Sequence, residues 1–154
     1  MALDPTARKA NVKDSVKKFF VDALSTGEGI EVVFDTLVDD RPPSEPDRWV
    51  TVRFGPIGFD YLSECNLSVF CCTRKDSEGF KLAQLRDTVV GYLSDTTRSD
   101  GMARIPFYRS YPSQPWLLLG ALLVQSLAEE GEGVTADDTK FCLLSVRLRW
   151  ESKV

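Results

Sequence analysis

The segment "FCLLSVRLRW", residues 141–150, alternates Leu144, Val146, Leu148 and Trp150 with Ser145, Arg147 and Arg149. A strict period of two puts the first set on one face of a strand and the second on the other. The chain must therefore build a sheet with one apolar and one polar face. Just upstream lies "WLLLGALLVQSLAEE", apolar at nearly every position from Trp116 to Val124. Its periodicity fits a helix and a strand alike. Gly120 weakens a helix interior, and the two segments flank "EEGEGVTADD" as the arms of a long hairpin would. The reading is a strand over 116–128, covered on both faces, with the acidic, glycine-containing stretch as its loop.

The rest of the chain alternates between the two periods. Val12, Val16, Phe19, Phe20 and Ala23 form a helical stripe that Gly27 can end. Ile30, Val32 and Phe34 then recur at period two, as do Val50, Val52 and Phe54, and Leu67, Val69 and Cys71. A second helix is expected over about 79–93, burying Leu82, Leu85, Val89 and Leu93. "ARIPFYR" reads as a short edge strand, since Pro106 has no N–H to give a ladder. The expected class is α+β, a mostly antiparallel sheet with two helices packed on one side. With 154 residues the chain suits one domain over 12–151, with a flexible segment at 1–11 and a short tail at 152–154.

Side-chain chemistry excludes more than it offers. There is no histidine, so no imidazole base or metal ligand. Cys65, Cys71, Cys72 and Cys142 lack the spacing of a zinc site and read as buried thiols. The doublets Asp39–Asp40 and Asp137–Asp138 sit among turn formers, where solvated carboxylates are the rule. No glycine pattern matches a phosphate-cradling loop, and no serine sits in a nucleophile elbow. A net charge of −4 disfavours binding of nucleic acid through its phosphates. No run is apolar for long enough to cross a bilayer, and "MALDPTARKANVKDS" lacks the apolar core of a signal peptide. A cytoplasmic site of synthesis is expected, with no enzymatic activity, metal or cofactor.

What remains points to contacts. Arg147 and Arg149 share a strand face, with Arg53 nearby in the sheet. They are either a solvated face paired with acids or part of a subunit contact, in which arginine and aromatic residues are enriched. Trp49, Phe70 and Trp116 fall on the non-core face and need a cover, either from this chain or from a neighbour. Pro106, Pro112 and Pro115 stiffen the entry to the apolar run and push Phe107, Tyr108 and Tyr111 toward a rim or a neighbour. The loop "DDRPPSEPDR", residues 39–48, has three prolines and six charges and is too long for a hairpin. Its Arg41, Pro42, Pro43 and Glu45 are candidates for a projecting contact.

The succession of an amphipathic helix, "IEVVFDT", a proline-rich excursion, "WVTVRFGPI", "LSVFCCTRKDSEGFKLAQLRDTVVGYL", "IPFY" and a hairpin ending in "VRLRW" resembles the tail terminator (tail completion) proteins of long-tailed bacteriophages. The similarity is one of element order, size and pattern from about Val12 to Trp150. It implies a homo-oligomeric ring, usually a hexamer, seated on the last ring of tail tube protein. The ring stops tube growth and offers a surface to the head-side connector, while DNA passes through its lumen without sequence-specific binding. It implies a virion location at the head-proximal end of the tail and no catalytic residues. A head-closure or tail tube subunit would share this architecture, and a small-molecule-binding α+β module remains a further reading.

Overall fold

The computed structural model describes residues 9–36, 42, 46–58, 62–109 and 117–151. Helix α1 spans Lys9–Phe20 and continues as a π-helical stretch over Val21–Thr26. Strands β1 (Glu31–Phe34), β2 (Arg48–Gly58) and β3 (Leu62–Thr73) follow, then helix α2 (Phe80–Leu93) and strands β4 (Arg104–Arg109), β5 (Leu117–Val134) and β6 (Lys140–Glu151). The six strands form one strongly curled sheet in the order β1-β2-β3-β6-β5-β4. The class is α+β, as the periodicities require.

The sheet is mixed. β1 pairs parallel to β2, with Val32 opposite Val50 and Phe34 opposite Val52, whereas the other four pairings are antiparallel. A parallel pair cannot be closed by a tight turn, because the chain must return to the end from which it started. That return accounts for the length of the 39–48 loop. Pro42, the one described residue between 37 and 45, is buried and does not project.

One face of the sheet carries the core. Val12, Val16 and Phe20 of α1, and Leu82, Leu85, Val89 and Leu93 of α2, join alternate residues of the strands: Val50 and Val52, Leu67 and Val69, Leu144, Val146 and Leu148. Both helical stripes therefore bury where the periodicity places them. α1 begins before Val12, since Lys9 to Asn11 are helical and Asn11 is fully buried; the ordered domain starts inside the segment expected to be flexible. Residues 1–8 and 152–154 lie outside the described residues.

β5 is a strand, and it runs further than expected. The acidic stretch from Glu129 to Val134 continues the strand past a bulge between Glu129 and Gly131, and the turn is confined to residues 135–139. On the outer face Phe141 packs edge-on to Phe70, with ring centroids 6.0 Å apart. Gly133 opposes Phe141 in the register, and a Cβ there would come within 2.6 Å of the ring. The close approach of the strand over that ring requires the absence of a side chain.

Candidate subunit interface

Three of the predicted residues are brought together on the outer face of the sheet. Arg53 opposes Ser68, Asn66 opposes Arg147, and Glu64 opposes Arg149, so the three guanidinium-bearing residues share the face opposite the core. Arg53 and Arg147 are exposed and Arg149 is half-buried. Arg147 forms an ion pair with Glu64 across the β3–β6 ladder. For Arg147 the solvated, acid-paired reading therefore applies, and such a pair contributes little to stability. Arg53 and Arg149 make no ion pair among the described residues.

Trp49 lies on the outer face, as its alternation demands, yet it is fully buried within the single chain, as are its cross-strand neighbour Cys72 and nearby Thr51. It has no surface left for a neighbouring subunit, and its expected role as a contact is corrected to one of internal packing. Pro42 is corrected in the same way by its burial. Phe107 also turns inward and packs edge-on against Trp150, with centroids 6.2 Å apart. Arg41, Pro43, Glu45, Tyr111 and Trp116 lie outside the described residues.

Tyr108 is half-buried beside α1. Its backbone N–H donates to the Ser15 hydroxyl at 2.8 Å, and the Lys18 ammonium lies 5.8 Å from its ring centroid. A cleft of about 280 Å³ separates the two elements, lined by Ser15, Lys18, Phe19, Asp22, Pro106 and Tyr108. The helix therefore occupies much of the rim that the sequence left open for a neighbour. No pattern in the sequence announced Ser15, a polar residue inside an apolar stripe.

The strand β5 carries the features that sequence reasoning missed. Its pairing with β4 ends at Leu123, opposite Arg104, and its pairing with β6 ends at the same residue, opposite Arg149. Among the described residues, Leu117–Leu122 thus lack a partner on one side and Ser126–Val134 lack one on the other. Each end also exposes aliphatic surface: Leu117 and Leu118 are 55% and 61% exposed, and Val134 is 59% exposed. At the Val134 end, Glu130, Glu132 and Asp138 are exposed. Glu129 is held by Arg86 at 3.0 Å, and Asp137 accepts from the Thr139 N–H at 3.4 Å.

Glu129, Glu132 and Cys142 bring their ligand atoms within 4.8 Å of one another. Burial and the neighbouring carboxylates push the Cys142 thiol up to about 12, so the free thiol is protonated at neutral pH. Burial likewise raises Cys65 to about 11 and Cys72 to about 12, and it raises Cys71 further still. All four are free thiols.

No family model and no curated protein matches the chain. Eleven chains of solved structures do. One of them has a TM-score of 0.58 at 10% identity, covering 92% of this chain and 97% of its own; the likeness is one of fold. Among the described residues, no helix is long and apolar enough to cross a membrane.

Proposed function

We propose that this protein is a structural virion component of a long-tailed bacteriophage, the terminator that caps a completed tail tube as a ring. The resemblance in element order motivates the reading, and one observation supports it. β5 outruns both of its neighbours and exposes two chemically different ends, one with Leu117 and Leu118, the other with Val134 and its acidic flank. A ring built head to tail needs two unlike surfaces on every subunit. In this reading the ring, probed first as a hexamer, halts addition of tail tube protein on one side. On the other side it meets the head-side connector, and DNA passes through the lumen.

The test is assembly on purified tail tubes, viewed by electron microscopy. The expected outcome is a ring at one end of each tube, no further growth in the presence of excess tube protein, and no polymer when the protein is alone. Polymerisation by the protein alone would identify a tube subunit instead. Binding to the connector without binding to tubes would identify a head-closure protein. No density at tube ends and no binding to the connector would overturn the structural reading.

A further inference from the structure

The tip of the β5–β6 hairpin is acidic, and the outer face of the sheet carries three arginines. On the outer face, Arg53 is level with Ser68, Ser145 and Ala128, and Arg147 and Arg149 follow along β6 opposite Asn66 and Glu64. Arg147 is tied to Glu64, which stands opposite Arg149 in the register, while Arg53 and Arg149 make no ion pair among the described residues. At the tip, residues 129–139 hold five carboxylates and no lysine or arginine; Lys140, opposite Val134, reaches the Asp76 carbonyl. Two of them, Glu129 and Asp137, are engaged locally. Glu130, Glu132 and Asp138 make no ion pair among the described residues. Arg149 sits opposite Leu123, and Leu123 lies nine residues before Glu132 along one strand. At the rise of an extended chain that is about 30 Å, so Arg149 is out of reach of the tip within one subunit. Arg53 is level with Ala128 through Ser68 and Ser145, three strands across, and makes no ion pair with the tip.

We propose that the acidic tip of one copy, Glu130 and Glu132 with exposed Val134, docks on the Arg53–Arg149 face of the next copy, with Leu117 and Leu118 at the rim of that contact. The occupant is a second copy of this chain, because the chain supplies both halves of the charge match. The contact is heterologous: each subunit gives its tip to one neighbour and its face to the other, so it propagates in one direction and closes where the rotation allows. Charge complementarity steers and orients the encounter, and the aliphatic ends supply apolar area toward the roughly 1,000 Å² that a specific contact needs. This inference rests on the ring reading and names the surfaces that would make the ring.

Two charge-reversed variants test it, Arg53→Glu/Arg149→Glu and Glu130→Arg/Glu132→Arg, each first checked for a native thermal melt. Association is followed by sedimentation over a concentration series, and by electron microscopy with tail tubes. Wild type is expected to assemble, each variant alone to associate at least about tenfold more weakly, and an equimolar mixture to regain assembly. In the mixture each acidic face meets a basic tip and each basic face an acidic tip, so native mass spectrometry should show the two variants in equal number. Where a reversal prevents folding, the glutamine variants at the same positions replace it, and loss of the salt dependence of association is the expected result. A variant that assembles alone as wild type does, or a mixture that stays apart, overturns these surfaces and leaves the ring reading intact. A wild-type protein that remains monomeric both in solution and on tubes overturns both.

Discussion

The Ser15 hydroxyl of α1 accepts the backbone N–H of Tyr108 at 2.8 Å, and the Tyr108 carbonyl lies 3.3 Å from the same oxygen. A side chain of the first helix thus stands where the next strand of the sheet would pair. The hydroxyl proton has its own short contact, with the Asn11 carbonyl at 2.7 Å. Two positions earlier, Pro106 has no N–H to offer. Edge strands invite pairing with other chains unless they are blunted, and β4 is blunted by both a proline and a helix.

Ser15→Ala should therefore cost about 1 kcal/mol, the order of a single part-buried hydrogen bond. Urea unfolding measures it. Ser15→Thr keeps the oxygen and should recover part of the loss. Equal destabilisation by Ala and Thr would show that fit in the α1–β4 contact, rather than the hydrogen bond, holds the edge.

Gly133→Ala tests the close approach over Phe141. The added carbon would fall 2.6 Å from the ring, which is held edge-on by Phe70. Crowding of that kind typically costs about 1–3 kcal/mol. A lowered melting temperature is expected, and Phe141→Leu in the same chain should relieve part of it. An unchanged melting temperature in Gly133→Ala would mean that the ring moves aside freely.

The helical stripes and the strand alternations were legible because burial on one side imposes a period. Leu82, Leu85, Val89 and Leu93 needed no further information, nor did Leu144 to Trp150. The parallel pairing of β1 was not legible, since an amphipathic strand records which face it buries and not which partner lies beside it. The stretch from Glu129 to Val134 looked like a loop for a related reason. It is an edge segment that pairs with β6 through its backbone, so its side chains are free to be acidic or absent. Ile105 and Phe107 lie two apart on β4 and are both buried, so a period of two would have turned Phe107 inward; the neighbouring prolines pointed to the rim instead. On the outer face the period placed Arg53, Arg147, Arg149 and Trp49 correctly, and it was silent on which of them the chain itself would cover.

The four thiols should be inert in the folded protein. Each is fully buried, and burial holds Cys65 near about 11 and Cys72 and Cys142 near about 12. The thiolate is the reactive form. An aromatic disulfide reagent at pH 8 is expected to find no fast-reacting cysteine in native protein and all four in denaturant. A single fast thiol without denaturant would reveal local opening around that residue.

Asp76 should make stability depend on pH. α2 begins after Gly79, a residue in the left-handed region at φ 74° that offers no side-chain cap. Asp76 supplies the cap from three residues before it. Its carboxylate accepts the N–H of Leu82 at 2.9 Å and of Lys81 at 3.2 Å, and the Thr73 hydroxyl at 3.1 Å. Burial works to raise this carboxyl's pKa, but the two backbone donors, the hydroxyl and the nearby Lys140 charge outweigh it, and the group titrates below the ordinary aspartate range. A carboxyl depressed in the folded state binds its proton more readily when unfolded. Its contribution is therefore fully present above the unfolded aspartate value, about 4, and is lost as pH falls through the lower folded value. Asp76→Ala should cost about 1–2 kcal/mol at pH 7, the usual range for a lost helix cap. The gap between wild type and variant should narrow steadily when urea unfolding is repeated from pH 5 down to pH 3. A gap that stays constant across that range would show that Asp76 acts through packing alone, and that the charge on its carboxylate is not what holds the start of α2.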